Sequence, residues 1–412
     1  MVNYLYNQFI IHYLFIFFKA KLERSDFLGI CGIIAEFNPL HTGHKYLINE
    51  AKRYGSVVCV LSGNFVQRGD TAIIDKRKRA LAALRCGVDL VLELPVIWSM
   101  STAQNFALGS VAALKAAGCD TLIFGSESGD VKKLLETAEI LLSDEFSKKI
   151  AKKLKSGQSF AKLRQAVAEE LGAEKGILDG ANNNLAIEYI IAAKKLDFCC
   201  EFKTVKRLGA KHDSLLEDSF VSASFLREKL KSGDFKTAEK YIPPEQFSLI
   251  NKDDISDIAS LDKAILSKLR TLSLEELKKL PDLSEGIENK LFFAISVAEN
   301  LASLYNEAKT KRYTEARIRR LVLSAFLGID SEFFMKAPPY IRVLGFSKRA
   351  GGLLKNGGDI PIVSTIAQIK ALDEASQKVF ETECRASDLY GLSVPKVIPS
   401  GQEYKAKIIK TE

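Results

Sequence analysis

The sequence predicts an α/β protein with a doubly wound parallel sheet, followed by a mainly helical C-terminal domain. Two observations predict this fold class. Short apolar runs alternate with amphipathic segments in the first half of the chain, which is typical of βαβ units. In the second half, helical spacing of apolar residues dominates. We expect an N-terminal domain over residues 28–235 and a C-terminal domain over residues 236–412.

The predicted strands are short runs rich in apolar residues, and the first is continuous in them, as parallel strands buried on both faces usually are. They lie at residues 30–35, 57–61, 88–92, 121–124 and 202–205. The predicted helices lie between them, at residues 43–54, 76–86, 102–117 and 131–171. Because parallel strands are joined by right-handed crossovers, these segments predict helices on both faces of one sheet.

The composition excludes two classes of protein. Hydrophobic residues make up 47% of the 412 and charged residues 27%, which fits neither a disordered chain nor a membrane bundle. The net charge of +8 is compatible with an anionic partner such as nucleic acid without establishing one. The seven cysteines form no C-x-x-C pair, and only four histidines are present, so we predict no metal site and a cytoplasmic location.

The N-terminal residues 1–27 do not match the predicted fold. Their apolar run at residues 13–18 is shorter than the roughly 20 residues that a spanning helix needs, and it lacks the flanks of a signal peptide. We interpret residues 1–27 as an extension that results from a start codon placed too early, with a membrane anchor as the alternative. No stable membrane association is expected.

The first predicted strand leads into the segment that carries the chemistry, residues 37–44 (FNPLHTGH), and a helix follows. Two of the four histidines, His41 and His44, lie here with Gly43 between them. A helix N-terminus suits phosphate, and imidazole donors can stabilise the charge that develops on phosphoryl oxygens. The segment therefore indicates nucleotidyl transfer with His41 and His44 as catalytic residues. The alternative is that both merely cap the helix or fill the core.

This segment resembles the H-x-G-H signature of the nucleotidyltransferase superfamily, which includes class I aminoacyl-tRNA synthetases. Further segments narrow the resemblance. They are residues 61–70 (LSGNFVQRGD), 74–80 (IDKRKRA), 87–95 (GVDLVLELP), 124–130 (FGSESGD), 182–189 (NNNLAIEY), 206–210 (KRLGA), 222–227 (SASFLR) and 311–320 (KRYTEARIRR). Together they resemble the bacterial tRNA(Met) cytidine acetate ligase family over most of residues 30–360.

The resemblance implies a Rossmann-like fold and an ATP-dependent ligase. Such an enzyme activates acetate as acetyl-adenylate and acetylates the wobble cytidine of elongator tRNA(Met), which gives N4-acetylcytidine. ATP is then a substrate, Mg2+ is expected with it, and no tightly bound cofactor is expected. Two alternatives stay open: a small-molecule nucleotidyltransferase of a cofactor pathway, and a non-catalytic protein that binds nucleotide or RNA. The oligomeric state is not predicted.

The resemblance also implies an ATP site. Its residues are Ile34, Ala35, Glu36, Phe37, Asn38, Pro39, Leu40, His41, Thr42, Gly43, His44, Lys45, Tyr46 and Leu47, with Gly125, Asn182 and Arg207. Gly125 could instead be a turn, Asn182 a helix N-cap and Arg207 a surface charge. The chain departs from the family at Ala181 and Ala186, where proline and glycine are usual. Glu36 is also a candidate general base by position alone, with a structural carboxylate as the alternative.

Two further groups of residues are candidates for binding anions. The possible phosphate contacts are Lys76, Arg79, Ser222, Ser224 and Arg227, the last three on a segment where related nucleotidyltransferases keep a phosphate loop. The predicted tRNA contacts lie on a basic helix at residues 309–320 and are Lys309, Lys311, Arg312, Arg317, Arg319 and Arg320, with Tyr313 as a stacking side chain. For the helical cations the alternative is a solvated helix face, and for the serines a plain capped helix.

Overall fold

The computed structural model describes residues 29–153, 160–207, 221–284, 286–310, 313–333, 337–355 and 358–412. The predicted extension at residues 1–27 lies outside these ranges, and so do Lys311 and Arg312. Within the described ranges, no helix is both long enough and apolar enough to cross a bilayer.

One large mixed sheet organises the molecule. Its strand order is β10-β8-β5-β2-β1-β6-β7, with β9 paired to β8, and β3 and β4 form a separate hairpin. The strands are β1 Gly29–Ala35, β2 Gly55–Ser62, β3 Phe65–Val66, β4 Asp70–Thr71, β5 Leu90–Leu94, β6 Thr121–Ser126, β7 Glu201–Lys206, β8 Ile341–Ser347, β9 Ile362–Val363 and β10 Ile409–Thr411.

The five predicted strands are confirmed as β1, β2, β5, β6 and β7, and they are parallel to one another. From β1 the chain moves outward to β2 and β5 on one side, then to β6 and β7 on the other. The order therefore reverses at β1 and β6. Open α/β sheets bind ligands at the carboxyl ends of the strands at such a reversal, which places the expected site after Ala35 and Ser126.

Helices cover both faces of the sheet and make up most of the second half. They are α1 Thr42–Ala51, α2 Lys76–Arg85, α3 Val96–Ser99, α4 Ala103–Ala116, α5 Val131–Leu142, α6 Asp144–Lys153, α7 Phe160–Glu170, α8 Ala181–Lys195, α9 Ala223–Lys231, α10 Phe235–Glu239, α11 Pro244–Phe247, α12 Asp262–Arg270, α13 Leu274–Leu277, α14 Ile287–Val297, α15 Leu301–Ala308, α16 Glu315–Leu327, α17 Ile366–Lys370, α18 Glu374–Tyr390 and α19 Gln402–Lys405. Short 3-10 helices lie at Lys252–Asp254, Ile258–Leu261, Ser331–Phe333 and Lys348–Lys355.

The C-terminal residues return to the sheet, which the sequence did not predict. Strand β8 pairs antiparallel with β5, and β9 and β10 pair parallel with β8. The large sheet thus takes strands from both sides of the predicted boundary near residue 235. The C-terminal part is mainly helical as expected, while its division from the N-terminal part as a separate domain stays a prediction.

A buried cluster of charges also joins the two parts. The ammonium group of Lys76 on α2 contacts the carboxylates of Glu93 on β5, Glu383 on α18 at 2.7 Å and Glu403 on α19 at 2.8 Å. Arg342 on β8 pairs with Glu93 at 3.5 Å and with Glu403. Burial alone lowers the pKa of Lys76, but the three carboxylates raise it on balance, so the lysine stays charged.

Candidate active site

The segment with the two histidines forms the turn between β1 and α1 at the reversal of strand order. His41 is the N-cap of α1, and its Nδ1 accepts a hydrogen bond of 3.1 Å from the N–H of Gly43. In return, Nδ1 of His44 accepts one of 3.3 Å from the N–H of His41. The two rings stack with centroids 3.7 Å apart. Capping, which the sequence offered only as an alternative, is therefore part of how the pair is held.

Both imidazoles are held in the neutral form. Burial, with a smaller effect from Arg207, lowers the pKa of His41 to about 4. Burial also lowers the pKa of His44 well below its usual value, and the charges of His41 and Arg207 lower it further. The hydrogen bond with the Pro39 carbonyl oxygen raises this pKa but does not offset the lowering. Because each Nδ1 accepts a hydrogen bond, we assign the proton to Nε2. The site thus holds two neutral imidazoles that need no proton from solvent, and the ring of His44 already hydrogen-bonds the carbonyl oxygen of Pro39.

The loop before α1 is fixed by hydrogen bonds from three other segments. Asn38 accepts at its Oδ1 from the N–H of Ile73 at 2.7 Å and at its carbonyl oxygen from Arg227 at 2.9 Å. Arg79 donates to the carbonyl oxygen of Glu36 at 2.6 Å and to that of Ser62 at 3.0 Å. Because these hydrogen bonds hold the loop, the two imidazoles are pre-organised to stabilise charge that develops on a bound phosphate.

The predicted phosphate contacts Lys76 and Arg79 are therefore wrong. Both side chains are fully buried, Lys76 among carboxylates and Arg79 among backbone carbonyl oxygens. The alternative, a solvated helix face, is wrong for the same reason. Burying a cation requires partners that replace its lost hydration, and each has them within the protein. Arg79 supports the site by fixing backbone, whereas Lys76 holds three carboxylates together.

Gly125, Asn182 and Arg207 lie together at the end of β6 and β7. The Arg207 guanidinium donates to Oδ1 of Asn182 at 2.9 Å, and a Cβ on Gly125 would lie 3.4 Å from Cγ of Arg207. Arg207 also lies close enough to His41 and His44 to lower their pKa values. The structure thus brings these three residues to the two histidines. Their contact with ATP stays a prediction.

Asn182 is not a helix cap, because Gly180 holds that position and Ala181 begins α8. Its Nδ2 donates to Oε1 of Glu127 at 2.7 Å. Burial acts to raise the pKa of Glu127, but the hydrogen bonds from Asn182 and Asn183 lower it on balance, so the carboxylate stays ionised. Glu127 was not predicted as a site residue, although it lies in a quoted motif. It orients Asn182.

The predicted phosphate segment at residues 222–227 begins α9 beside the motif loop. Ser222 caps the helix by accepting from the N–H of Phe225 at 3.2 Å, as the alternative for this serine expected. Ser224 accepts at Oγ from Arg227 at 3.3 Å, and Arg227 reaches the carbonyl oxygen of Asn38. Arg227 therefore joins this segment to the loop before α1, while contact with phosphate stays a prediction.

The predicted basic helix at residues 309–320 differs from the structure. Helix α16 begins only at Glu315, and Lys309 caps the C-terminus of α15. Arg317 donates to the carbonyl oxygen of Asp282 at 3.0 and 2.6 Å, and Arg320 to its carboxylate at 3.2 Å. Tyr313 is also wrong as a stacking side chain, because it is 7% exposed and donates its hydroxyl to a carbonyl oxygen.

Two other cations of this segment remain accessible. The side chain of Lys309 is 54% exposed and that of Arg319 is 33% exposed, and both contact Glu315. These two are the described members of the predicted set that can still meet RNA phosphates. The remaining predicted members, Lys311 and Arg312, lie outside the described residues.

The hairpin of β3 and β4 is a part of the site that sequence reasoning did not assign. The N–H of Gln67 donates to Oε1 of Glu36 at 2.8 Å. Burial raises the pKa of Glu36, against the effect of that N–H group and of Arg79. The exposed Arg68 lies close enough to Glu36 to affect its pKa. The sequence signal that could have indicated this hairpin is the Arg-Gly-Asp turn in the motif at residues 61–70.

Comparison with known proteins identifies the relatives of this chain. The family model described as HIGH Nucleotidyl Transferase matches residues 28–405. The chain is 38% identical over 397 residues to the tRNA(Met) cytidine acetate ligase of Caldanaerobacter subterraneus subsp. tengcongensis, covering 92% of this chain and 99% of that relative. It is 35% identical over 411 residues to the protein of that name from Clostridium acetobutylicum, covering 93% and 100%.

A solved structure has the same fold over nearly the whole described chain. The crystal structure of Thermotoga maritima TmcAL bound with alpha-thio ATP superposes with a TM-score of 0.86 at 28% identity, covering 93% of this chain and 99% of that one. The apo form of the same protein gives the same TM-score at 29% identity. The predicted fold class and family are confirmed. The chain belongs to the HIGH nucleotidyl transferase family and, within it, to the tRNA(Met) cytidine acetate ligases.

Proposed function

We propose that the protein activates acetate with ATP and transfers the acetyl group to the wobble cytidine of elongator tRNA(Met). The observation that carries the proposal is the pair of neutral imidazoles, His41 and His44, at the N-terminus of α1. Arg207, which hydrogen-bonds Asn182, lies close enough to lower the pKa of both. A site of this kind suits attack on the α-phosphate of a nucleotide.

In the first step an acetate oxygen attacks the α-phosphorus of ATP, which enters as its Mg2+ complex, and pyrophosphate leaves. Negative charge builds on the α-phosphoryl oxygens as the bond forms. His41 and His44 donate to these oxygens, and the positive end of α1 adds to the field. Asn182, which Glu127 orients, and Arg207, which hydrogen-bonds Asn182, bind the nucleotide.

In the second step the exocyclic amine of the cytidine attacks the acetyl carbonyl carbon, and AMP leaves. The RNA must then approach from the side of α16, where Lys309 and Arg319 are exposed. Arginine and lysine at such positions bind phosphates and orient the RNA without reading its sequence. All seven cysteines are unpaired, which fits the reducing cytoplasm where tRNA is modified.

The test uses purified protein, ATP with Mg2+, labelled acetate and tRNA from a strain that lacks N4-acetylcytidine. The expected result is label on a wobble cytidine that requires ATP and does not require acetyl-CoA. Pyrophosphate exchange driven by another acid or phosphate ester, with no label in RNA, would instead favour a small-molecule nucleotidyltransferase. If neither activity is found, the result would favour the remaining alternative, a non-catalytic protein that binds nucleotide or RNA.

A further inference from the structure

The turn between β3 and β4 connects the two regions that the reaction must bring together. On one side the N–H of Gln67 holds the carboxylate of Glu36, at the end of the strand that leads to the two histidines. On the other side the carbonyl oxygen of Gln67 lies 3.5 Å from Arg320. A Cβ on Gly69 would lie 2.7 Å from Cβ of Arg319, and its φ of +73° is one that glycine adopts easily. The turn therefore packs directly on α16.

Asp70, the first residue of β4 directly after this turn, has a carboxylate with unused hydrogen-bonding capacity. Its Oδ1 accepts from the N–H of Thr71 at 2.8 Å. Among the described residues, no other hydrogen bond to this carboxylate is present, and the side chain is partly exposed. Because a carboxylate can accept about four hydrogen bonds, the second oxygen is available to a ligand.

The groups around Asp70 come from three helices. Lys231 and Arg227 on α9 and Arg319 on α16 lie close enough to act on its charge. Tyr305 on α15, which lies 5.2 Å from the Arg319 guanidinium, also interacts with Asp70. Tyr305 is 7% exposed, yet its hydroxyl has no hydrogen-bond partner among the described residues. A buried polar group without a partner is costly, which points to a ligand that completes it.

We propose that Asp70 accepts a hydrogen bond from the exocyclic amine of the target cytosine and takes its proton during acetyl transfer. Aspartate and glutamate are the side chains that pair with the N4 amine of cytosine. The proposal rests on the proposed function. It assigns the general base that the sequence did not identify.

The N4 lone pair attacks the acetyl carbonyl carbon, and the new N–C bond replaces the bond from that carbon to the phosphate oxygen of the adenylate. AMP leaves with the electron pair of the broken bond, and the N4 proton passes to Asp70. Lys231 and Arg227 on α9 and Arg319 on α16 lie near Asp70, where they could bind the RNA phosphates on either side of the target base.

The surroundings of Asp70 fit a proton acceptor. Burial raises the pKa of its carboxyl group, and Lys231, the Thr71 N–H and the two arginines offset only part of this effect. A carboxylate with a raised pKa is a stronger base, which favours proton transfer near neutral pH. Glu36 is less suited to act as this general base, because it directly precedes the loop with His41 and His44, where acetate is proposed to be activated.

The test compares Asp70→Asn with the wild type. Asparagine keeps Oδ1 for the Thr71 N–H but cannot take a proton. We expect acetyl transfer to tRNA to fall by about 100-fold or more. Acetate-dependent ATP–pyrophosphate exchange, measured with a tRNA transcript that carries uridine at the target position, should stay within about threefold, as should tRNA affinity. Asp70→Glu should restore part of the transfer, and Asp253→Asn, at an exposed aspartate, should change nothing.

Two results would overturn the assignment. One is transfer by Asp70→Asn within about threefold of the wild type. The other is an equal loss of exchange or of tRNA affinity, which would make Asp70 part of the nucleotide site or of the RNA surface. Failure of the proposed function is separate, since it would appear in the wild type as exchange without any label in RNA. Thermal unfolding of each variant checks that it is folded.

Discussion

At the scale of single residues, His41 caps α1 through Nδ1, which leaves its ring proton on Nε2 for the proposed contact with phosphate. Replacing it with asparagine separates these tasks, since asparagine is a good N-cap but has no donor at the position of Nε2. We expect His41→Asn to lower ATP–pyrophosphate exchange by about 100- to 1000-fold, as loss of one transition-state donor does elsewhere. Its affinity for tRNA should be unchanged.

His41→Ala is the matched variant, because it removes the cap as well as the donor. Its exchange rate should fall as far as that of His41→Asn, while its free energy of unfolding should fall by about 1 kcal/mol more. Urea unfolding of both variants measures that difference. Exchange at the wild-type rate in His41→Asn would remove the Nε2 donor from the mechanism.

The lowered pKa of His41 also predicts how stability depends on pH. Between its folded pKa of about 4 and the ordinary value of 6.5, the unfolded chain binds more protons than the folded one. The stability that depends on this group is therefore complete above pH 6.5 and is lost as the pH falls toward 4. Between the ordinary pKa and about pH 5, His41→Asn should lose about 1–2 kcal/mol less than the wild type. Equal losses in urea titrations would contradict the assigned burial.

The sequence identified the two histidines that the structure stacks together, but it misplaced two cations. His41 and His44 could be found because strand, loop and helix follow one another locally. The segment 76–80 looked like a solvated or phosphate-binding face because it carries four cations in five residues. In the structure Lys76 is buried because it pairs with Glu383 and Glu403, which lie about three hundred positions away in the chain. Helical spacing gives no information on such partners, and Glu127, which bonds Asn182, was missed for the same reason.

At the scale of elements, the basic segment at residues 309–320 contains a helix start that the prediction ignored. Thr314, in extended conformation, is the N-cap, and Glu315 is the first residue of α16. Threonine followed by an acidic first turn is a regular start signal. Because α16 starts there, Arg317 and Arg320 turn toward Asp282, and Lys309 lies at the end of α15.

This arrangement predicts different roles for Arg317 and Lys309. Arg317→Ala removes hydrogen bonds to the Asp282 carbonyl, so the free energy of unfolding should fall by about 2 kcal/mol. Lys309→Gln leaves stability unchanged but removes an exposed charge, so the slope of log affinity for tRNA against log salt should fall by about one. Binding titrations at several salt concentrations, with urea unfolding of both variants, measure the two effects. The reverse pattern would place Arg317 rather than Lys309 on the RNA.

At the scale of the whole molecule, the sequence predicted the five parallel strands but not the return of the chain to the sheet. Strand β8 lies far from the others along the chain and pairs antiparallel with β5, so the βαβ pattern could not include it. Strands β9 and β10 have two and three residues, too few for a recognisable pattern. The charges that accompany this return are Lys76 and Arg342 with the three buried carboxylates.

Lys76→Met tests whether this cluster holds the C-terminal elements on the sheet. Methionine fills a similar volume but leaves Glu93, Glu383 and Glu403 without their shared cation, and a broken buried ion pair costs about 3–5 kcal/mol. We expect that loss in the free energy of unfolding, with unchanged ATP affinity for the folded protein. The control is Lys78→Met on the same helix, whose ion pair with Asp254 is partly exposed and should contribute at most about 1 kcal/mol. A stable Lys76→Met protein with weakened ATP binding would return Lys76 to the phosphate site.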